Sequence, residues 1–371
     1  MRVSWVQRFL VCTLLLGYCP SAFGGDTLPG IVFVSDDIFG DKYIWPGVAR
    51  PGTSHWREGY IYHRATTQHP IERTTTPTRP GRNLYTLVPA RPDGKLTRIT
   101  HLSDGEVFDP ETSYDGKRVL FSMRRDGEDW FNLYEIGADG SNPVQLTDGP
   151  FNDVSGVYLP DGRIVFVSDR SGYLEEYHEE RTETLWAMND DGTGIEQLSF
   201  NPGTVFDPTV LHDGRILFSL WDTFMLNIPG PDKHETYLMT IRPDGTEESH
   251  FFGLRQYRFF NRERHSGVAF NQTSQMSDGT VLAISEMGPS ILDPGRGMDP
   301  AAALWPVFPG ATTIQLGGAT HRVHLSPVGS RSTPQALPDG RFLLSATLPG
   351  ARDLGIFVCD PRTREMQLVF N

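Results

Sequence analysis

The sequence predicts an all-β fold, a six-bladed β-propeller of four-stranded antiparallel blades, and three observations predict it. The 371 residues include 38 glycines and 28 prolines, spread as punctuation rather than gathered in one tract. That is the pattern of many short strands joined by tight turns. An Asp-Gly turn followed by an apolar run recurs five times, with Asp115, Asp161, Asp213, Asp278 and Asp339 spaced 46, 52, 65 and 61 residues apart. A second hairpin alternates with the first, and two hairpins per repeat make the four-stranded unit of a propeller blade.

Along the chain, residues 1–24 read as a secretory signal that lies outside the fold. Arg2 and Arg8 precede the apolar stretch "FLVCTLLLG", and "SAFG" then places small residues at a cleavage site. Residues 25–371 form the propeller, with no later segment apolar and long enough for a transmembrane anchor. Loss of Arg2 and Arg8 with the signal takes the formal charge from −13 to −15. An acidic surface repels phosphate, which argues against nucleic acid or anionic lipid as a partner. Of three cysteines only Cys359 lies beyond the signal, so no internal disulfide and no cysteine metal cage is expected.

Blade one opens with "IVFVSD" at Ile31 and carries a Pro- and Thr-rich insertion over about 37–82. Blades two to four follow from "YDGKRVLFSMR", "PDGRIVFVSDR" and "HDGRILFSLWD", paired with second hairpins starting at Leu133, Leu185 and Leu238. Blade five follows "SDGTVLAISEM", with its second hairpin blurred by "PSILDPGRGMDPAAALWPVFPG"; blade six runs from "PDGRFLLSATL" to "GIFVCDPRTREMQLVF". The Asp-Gly steps suit two-residue hairpin turns, and the β-branched and aromatic runs after them suit strands buried on both faces. The expected closure has the N-terminal strand completing a neighbouring blade.

Six residues before each Asp-Gly the repeats carry Asp109, Ser155, Asp207, Gln272 and Thr333, followed by Pro110, Gly156, Pro208, Thr273 and Pro334. The first position is polar in every copy. In a propeller this segment begins the strand along the central channel, so the five side chains form a candidate polar ring at the channel mouth. It either caps backbone and bonds between blades or binds a small polar ligand. Arg262, Arg264 and His265, in "FFNRERHSG", are further candidates for meeting an anionic ligand there.

Catalytic and cofactor motifs are missing. His321 and His324 ("HRVH") stand three apart, which on a strand puts them on opposite faces. "HETYL" lacks the second histidine of a zinc-protease helix. No G-x-S-x-G, phosphate-cradling glycine loop, dinucleotide fingerprint or C-x-x-C-H is present. No cofactor, no metal and no catalytic residue are therefore assigned. "YLEEYHEERTE" at Tyr173 reads as a charged loop, with a partner-binding arm as the sharper option. Trp45, Trp56, Tyr60 and Tyr62 dot the blade-one insertion.

The segments "DPETSYDGKRVLFSMR", "LYEIGADGSNPVQLTDGPFND", "YLPDGRIVFVSDR" and "LWAMNDDGTGIEQLSFN" resemble TolB-like propeller repeats. More narrowly they resemble the hydrazine synthase alpha subunit middle-domain family of planctomycete-type bacteria. The resemblance implies a six-bladed propeller. In that family the redox chemistry belongs to haems bound outside the propeller, so it transfers no catalytic residue here. The expected function is an exported, periplasmic or secreted, non-catalytic module holding a partner protein or small polar ligand at the channel mouth. The alternatives are a non-haem subunit of a periplasmic redox complex and a propeller enzyme acting on acidic polysaccharide, which would need converging histidines near His265.

Overall fold

The computed structural model describes residues 6–14, 28–38, 81–174, 181–201, 203–223, 234–252, 271–285, 288–293, 304–307, 311–316, 319–324, 334–347 and 354–370. They form a six-bladed β-propeller of four-stranded antiparallel blades. Blade one contains β1 (Val6–Leu14), β2 (Ile31–Ile38), β3 (Asn83–Val88) and β4 (Lys95–Arg98). Blade two contains β5 (Glu106–Thr112), β6 (Arg118–Arg124), β7 (Asn132–Gly137) and β8 (Val144–Gln145). Blade three contains β9 (Asp153–Tyr158), β10 (Ile164–Ser168), β11 (Thr184–Met188) and β12 (Glu196–Gln197). Blade four contains β13 (Thr204–Val210), β14 (Ile216–Thr223), β15 (His234–Ile241) and β16 (Ser249–Phe252). Blade five contains β17 (Asn271–Gln275), β18 (Val281–Ser285), β19 (Gly288–Leu292) and β20 (Leu304–Pro306). The hairpin β21 (Ala311–Leu316) and β22 (Ala319–His324) comes next. Blade six then contains β23 (Gln335–Ala336), β24 (Phe342–Thr347), β25 (Leu354–Asp360) and β26 (Glu365–Phe370).

Each blade's second strand is apolar at consecutive positions because both of its faces meet a neighbouring blade. On β2, Ile31 and Phe33 pack against Leu343, Ile356 and Val358 of blade six, while Val32 and Val34 pack against Val107, Val119 and Phe121 of blade two. Equivalent seams join blades two and three through Leu120, Leu133 and Phe166, and three and four through Val165, Val167 and Phe218. Blades four and five meet through Leu217, Leu238 and Val281, and five and six through Leu282, Ile284 and Phe342. Each fully buried Val, Leu, Ile or Phe contributes about 1.5–3 kcal/mol, so these six seams are where the fold is held together.

Two expectations are corrected. Blade six supplies four strands of its own, so the ring closes through the blade-one/blade-six seam and not by an N-terminal strand completing a neighbouring blade. The Asp-Gly loops are longer than two residues. In blade three Leu159 N donates to Arg163 O and Gly162 N to Leu159 O, which encloses Pro160-Asp161-Gly162. Only Gly162 has a positive φ, +92°. This is a type I turn followed by a left-handed glycine, with proline suited to its first central position. The aspartate is kept for its carboxylate: Asp161 Oδ1 accepts from Arg163 N at 3.0 Å, closing the loop across two residues.

The blurred second hairpin of blade five resolves into β19 and β20, whose paired residues include Ile291 and Trp305. The hairpin β21–β22 was not expected. It lies outside blade six, with β21 parallel to β26, and its second strand carries His321 and His324.

Antiparallel order assigns the connections to two faces. The first-to-second and third-to-fourth turns of every blade lie on one, called here the turn face. The second-to-third connections and those between blades lie on the other, the loop face. The three longest, 39–82, 253–270 and 307–334, all leave and re-enter at the loop face.

Candidate functional site

The first strand of each blade is innermost. β1, β5, β9, β13, β17 and β23 begin their sheets, and neighbours in this series from β1 to β23 touch one another around the channel. Asp109 is the fourth of seven residues in β5, and Asp207 the fourth of seven in β13. Ser155 and Gln272 also lie inside their strands. The polar positions therefore sit partway along the channel wall and not at its mouth.

A shared backbone device explains why these residue types recur. Phe108 pairs with Ser122 and Glu111 with Leu120, leaving one extra residue on β5. The same offset occurs between Val154 and Val157, Phe206 and Thr209, and Asn271 and Ser274. Each is a β-bulge. The residue that opens each bulge is left-handed, with φ +47° at Asp109, +53° at Ser155, +52° at Asp207 and +50° at Gln272. Short polar side chains tolerate this region better than bulky or β-branched ones.

The bulges also link blades. Ser155 Oγ donates to Asp109 Oδ2 at 2.6 Å, and Ser155 N to Ser122 Oγ at 2.9 Å. Gln272 N donates to Asp207 Oδ2 at 3.0 Å. Both aspartates thus accept a bond from the following blade at the equivalent residue. Blade five differs: Gln272 Oε1 and Thr273 Oγ1 are buried and have no hydrogen-bond partner among the described residues. Thr333, Arg262, Arg264 and His265 lie outside the described residues. Among the described residues no group of three or more His, Cys, Asp and Glu side chains is placed to hold a metal ion.

One inner-strand side chain escaped the sequence analysis. Glu111 is enclosed by protein yet partly reachable from the channel, and makes no hydrogen bond or ion pair among the described residues. Burial pushes its carboxyl up to about 7. Nearby, Tyr158 Oη donates to Glu135 Oε2 at 2.7 Å, and Arg118 meets the same carboxylate at 3.0 Å. Burial, Glu135 and Glu111 all hold the Tyr158 phenol protonated. The signal was present in the sequence: the aligned residues Val157, Thr209, Ser274 and Gln335 are uncharged, and Glu111 alone is acidic.

The loop face is held by contacts between distant segments. Asp126 Oδ1 accepts from the backbone N–H groups of Ser103, Asp104 and Gly105 at 2.9, 3.0 and 2.6 Å, fastening the blade-one-to-two connection onto blade two. A Cβ on Gly105 would lie 2.5 Å from the Arg124 carbonyl oxygen, so the approach requires glycine. Asp169 accepts from Asn152 N and Nδ2 on the connection leading into its own blade, and burial holds its carboxyl above the usual range. Beneath these lie two ion pairs: Arg82–Glu106 at 2.8 Å, both side chains 4% exposed, and Asp153–Arg170, with the carboxylate fully buried. The Arg170 guanidinium also faces the rings of Phe151, Phe166 and Trp186. Above them Tyr173, Leu174 and Phe200 are exposed. Arg181 stands over the Trp130 ring, and Leu174 bridges to Arg181 at the base of the charged loop.

No protein-family description matches the chain. It is 23% identical to hydrazine synthase subunit alpha of Kuenenia stuttgartiensis over 164 residues, covering 30% of this chain and 20% of that protein. The solved Kuenenia stuttgartiensis hydrazine synthase superimposes with a TM-score of 0.63 at 16% identity, over 92% of this chain and 44% of that one. The chain therefore spans less than half of the protein it resembles. A puromycin hydrolase S511A mutant complexed with PGG superimposes with a TM-score of 0.50 at 14% identity, over 97% of this chain and 57% of that one. The putative TolB from Agrobacterium tumefaciens superimposes at 0.47 and 12% identity, over 74% of this chain and 84% of that one. The similarity to hydrazine synthase extends through sequence and fold, and TolB-like propellers are among the structural neighbours.

Proposed function

We propose that the chain is an exported, non-catalytic propeller that holds a partner protein or a small polar ligand on its loop face. The observation that carries this reading is the contrast between the faces. One is closed mainly by short Asp-capped turns, and the other receives the three longest connections. Variable loops on a rigid scaffold are the usual place for binding. The absence of a hydrolase, zinc or haem-attachment motif in the sequence supports a non-catalytic role. Asp109 and Asp207 already accept bonds from the following blade, which favours the loop face over the inner-strand polar column as the ligand position.

A photo-crosslinking residue at Leu174 or Phe200, compared with one at Lys117 on the turn face, tests the reading in cells that make the protein. One discrete adduct from the loop-face positions, absent from Lys117, is expected. Equal labelling from both faces, or none from either, overturns it.

The similarity to hydrazine synthase supports a narrower second reading, in which the partner is a redox protein carrying its own haem. Under that reading the purified complex shows a Soret band that the isolated chain lacks. A partner without one rejects it.

A further inference from the structure

We propose that the inner slot of blade one accepts a strand, and that in the exported protein an extended segment of a partner protein fills it, carrying the Val-Phe-Asp-Pro pattern of other inner strands. This rests on residues 1–24 being a cleaved leader and adds a second site, on the channel wall, to the loop-face role proposed above.

In the full chain β1 occupies the slot. Phe9 pairs with Ser35 and Cys12 with Phe33, with one extra residue between them, the same offset that flanks Asp109 and Asp207. The slot therefore has the register of an ordinary inner strand. Its present occupant has the wrong chemistry for the bulge. Leu10-Val11 stands where blades two to five carry Asp-Pro, Ser-Gly, Asp-Pro and Gln-Thr.

Leader cleavage removes all of β1, but β2 has reasons to stay. Its Ile31 and Phe33 are packed into the blade-six seam, and its Val32 and Val34 into the blade-two seam. What remains is a gap one strand wide, bordered by the backbone edge of β2 and flanked by β5, β24 and β25, all of which β1 touches. The N–H and C=O groups of β2 that paired with β1 then lack partners, and an added strand restores them. Equivalent slots show what fits. In β5 and β13 a Val-Phe pair enters the seams, a short polar residue takes the left-handed bulge and bonds the next blade, and proline follows.

The test uses the protein recovered after export of the full chain. Its intact mass is measured first. Thermal melting then follows with three synthetic peptides: Glu-Val-Phe-Asp-Pro-Glu-Thr, a scrambled version, and one with alternate amides N-methylated. Loss of residues 1–24 is expected, with a rise in Tm of about 2–4 °C at saturating native peptide and no rise with the other two. A mass that retains Val6–Leu14 refutes the leader reading and this proposal with it, while the loop-face crosslinking result stands independently. A protein lacking the leader that shows no shift, or the same shift with all three peptides, overturns the strand-accepting slot alone.

Discussion

The turn face and the loop face of this ring are built by different kinds of interaction. On the turn face nine aspartates, at 115, 139, 161, 191, 213, 244, 278, 339 and 360, each accept from the backbone N–H two residues onward. Each of these nine bonds closes within one loop, and among the described residues only a few at the turns, such as Tyr114, Arg163 and His212, reach another blade. On the loop face Asp126 reaches back 21 to 23 residues, and Asp169 and Arg170 reach back 17. Local contacts can be replaced piecemeal. Contacts between distant segments leave something buried and unpaired when one side is removed. The comparison predicts a steep gradient of mutational cost from one face to the other.

The largest effect is expected at Arg170. Arg170→Ala strands the fully buried Asp153 carboxylate and should cost about 3–5 kcal/mol in urea unfolding. Adding Asp153→Asn should recover a large part of that loss, since the stranded charge is then gone. An Arg170→Ala variant as stable as the parent would break the contrast between the faces.

Glu111 separates the effect of face from the effect of distance, because it lies near the turn end of β5 but in no local loop. Its carboxyl is raised in the folded state, so it favours folding only while protonated. That contribution is complete below its unfolded value near 4.5 and is lost as pH rises through about 7. Glu111→Gln should therefore match the parent at pH 4 and exceed it at pH 8 by up to about 3 kcal/mol. Equal stability at both pH values would show that water in the channel solvates the charge.

Asp207 lies between the two faces. Asp207→Ala loses the bond from Gln272 N and places alanine at φ +52°, an expected cost of about 2 kcal/mol. Asp207→Asn keeps an acceptor and tolerates the left-handed backbone, so chemical denaturation should show less than half that cost. Equal losses in the two variants would mean that the charge matters and the bulge does not.

The smallest effects belong to single turns. Asp213→Ala should cost about 0.5 kcal/mol. Eight of the nine turn carboxylates titrate below their ordinary range, held there by bonds from Ser, Thr or Arg side chains and from backbone N–H groups, against a burial contribution that raises them. Their folded values are depressed, so their contribution is present above about pH 4 and is lost together as pH falls below it. Acid unfolding should be shallower in a variant with several of these aspartates changed to asparagine.

The same division governs what the sequence made legible. The Asp-Gly spacing and the doubly apolar strands repeat locally, so blade number, hairpin order and the column Asp109, Ser155, Asp207 and Gln272 could be read directly. Polarity in that column looked like a feature of the channel mouth. It records a left-handed bulge in the middle of each strand, a property that no single copy displays. Asp126 with the Ser103–Gly105 backbone, and Arg170 with Asp153, were not legible because no repeat brings those partners together in sequence. Glu111 was legible in principle, as the one charge in an uncharged column, but only after the bulge is placed.

The apolar seam between blades six and one has a mechanical consequence. In this chain five of the six seams are also crossed by backbone, whereas that between β2 and the pair β24 and β25 is bridged by side chains such as Phe33, Leu343 and Ile356. The ring behaves as a split washer. Under radial load, from heat or from a large body pressed against one face, this seam is expected to open first, changing the bore before any blade unfolds.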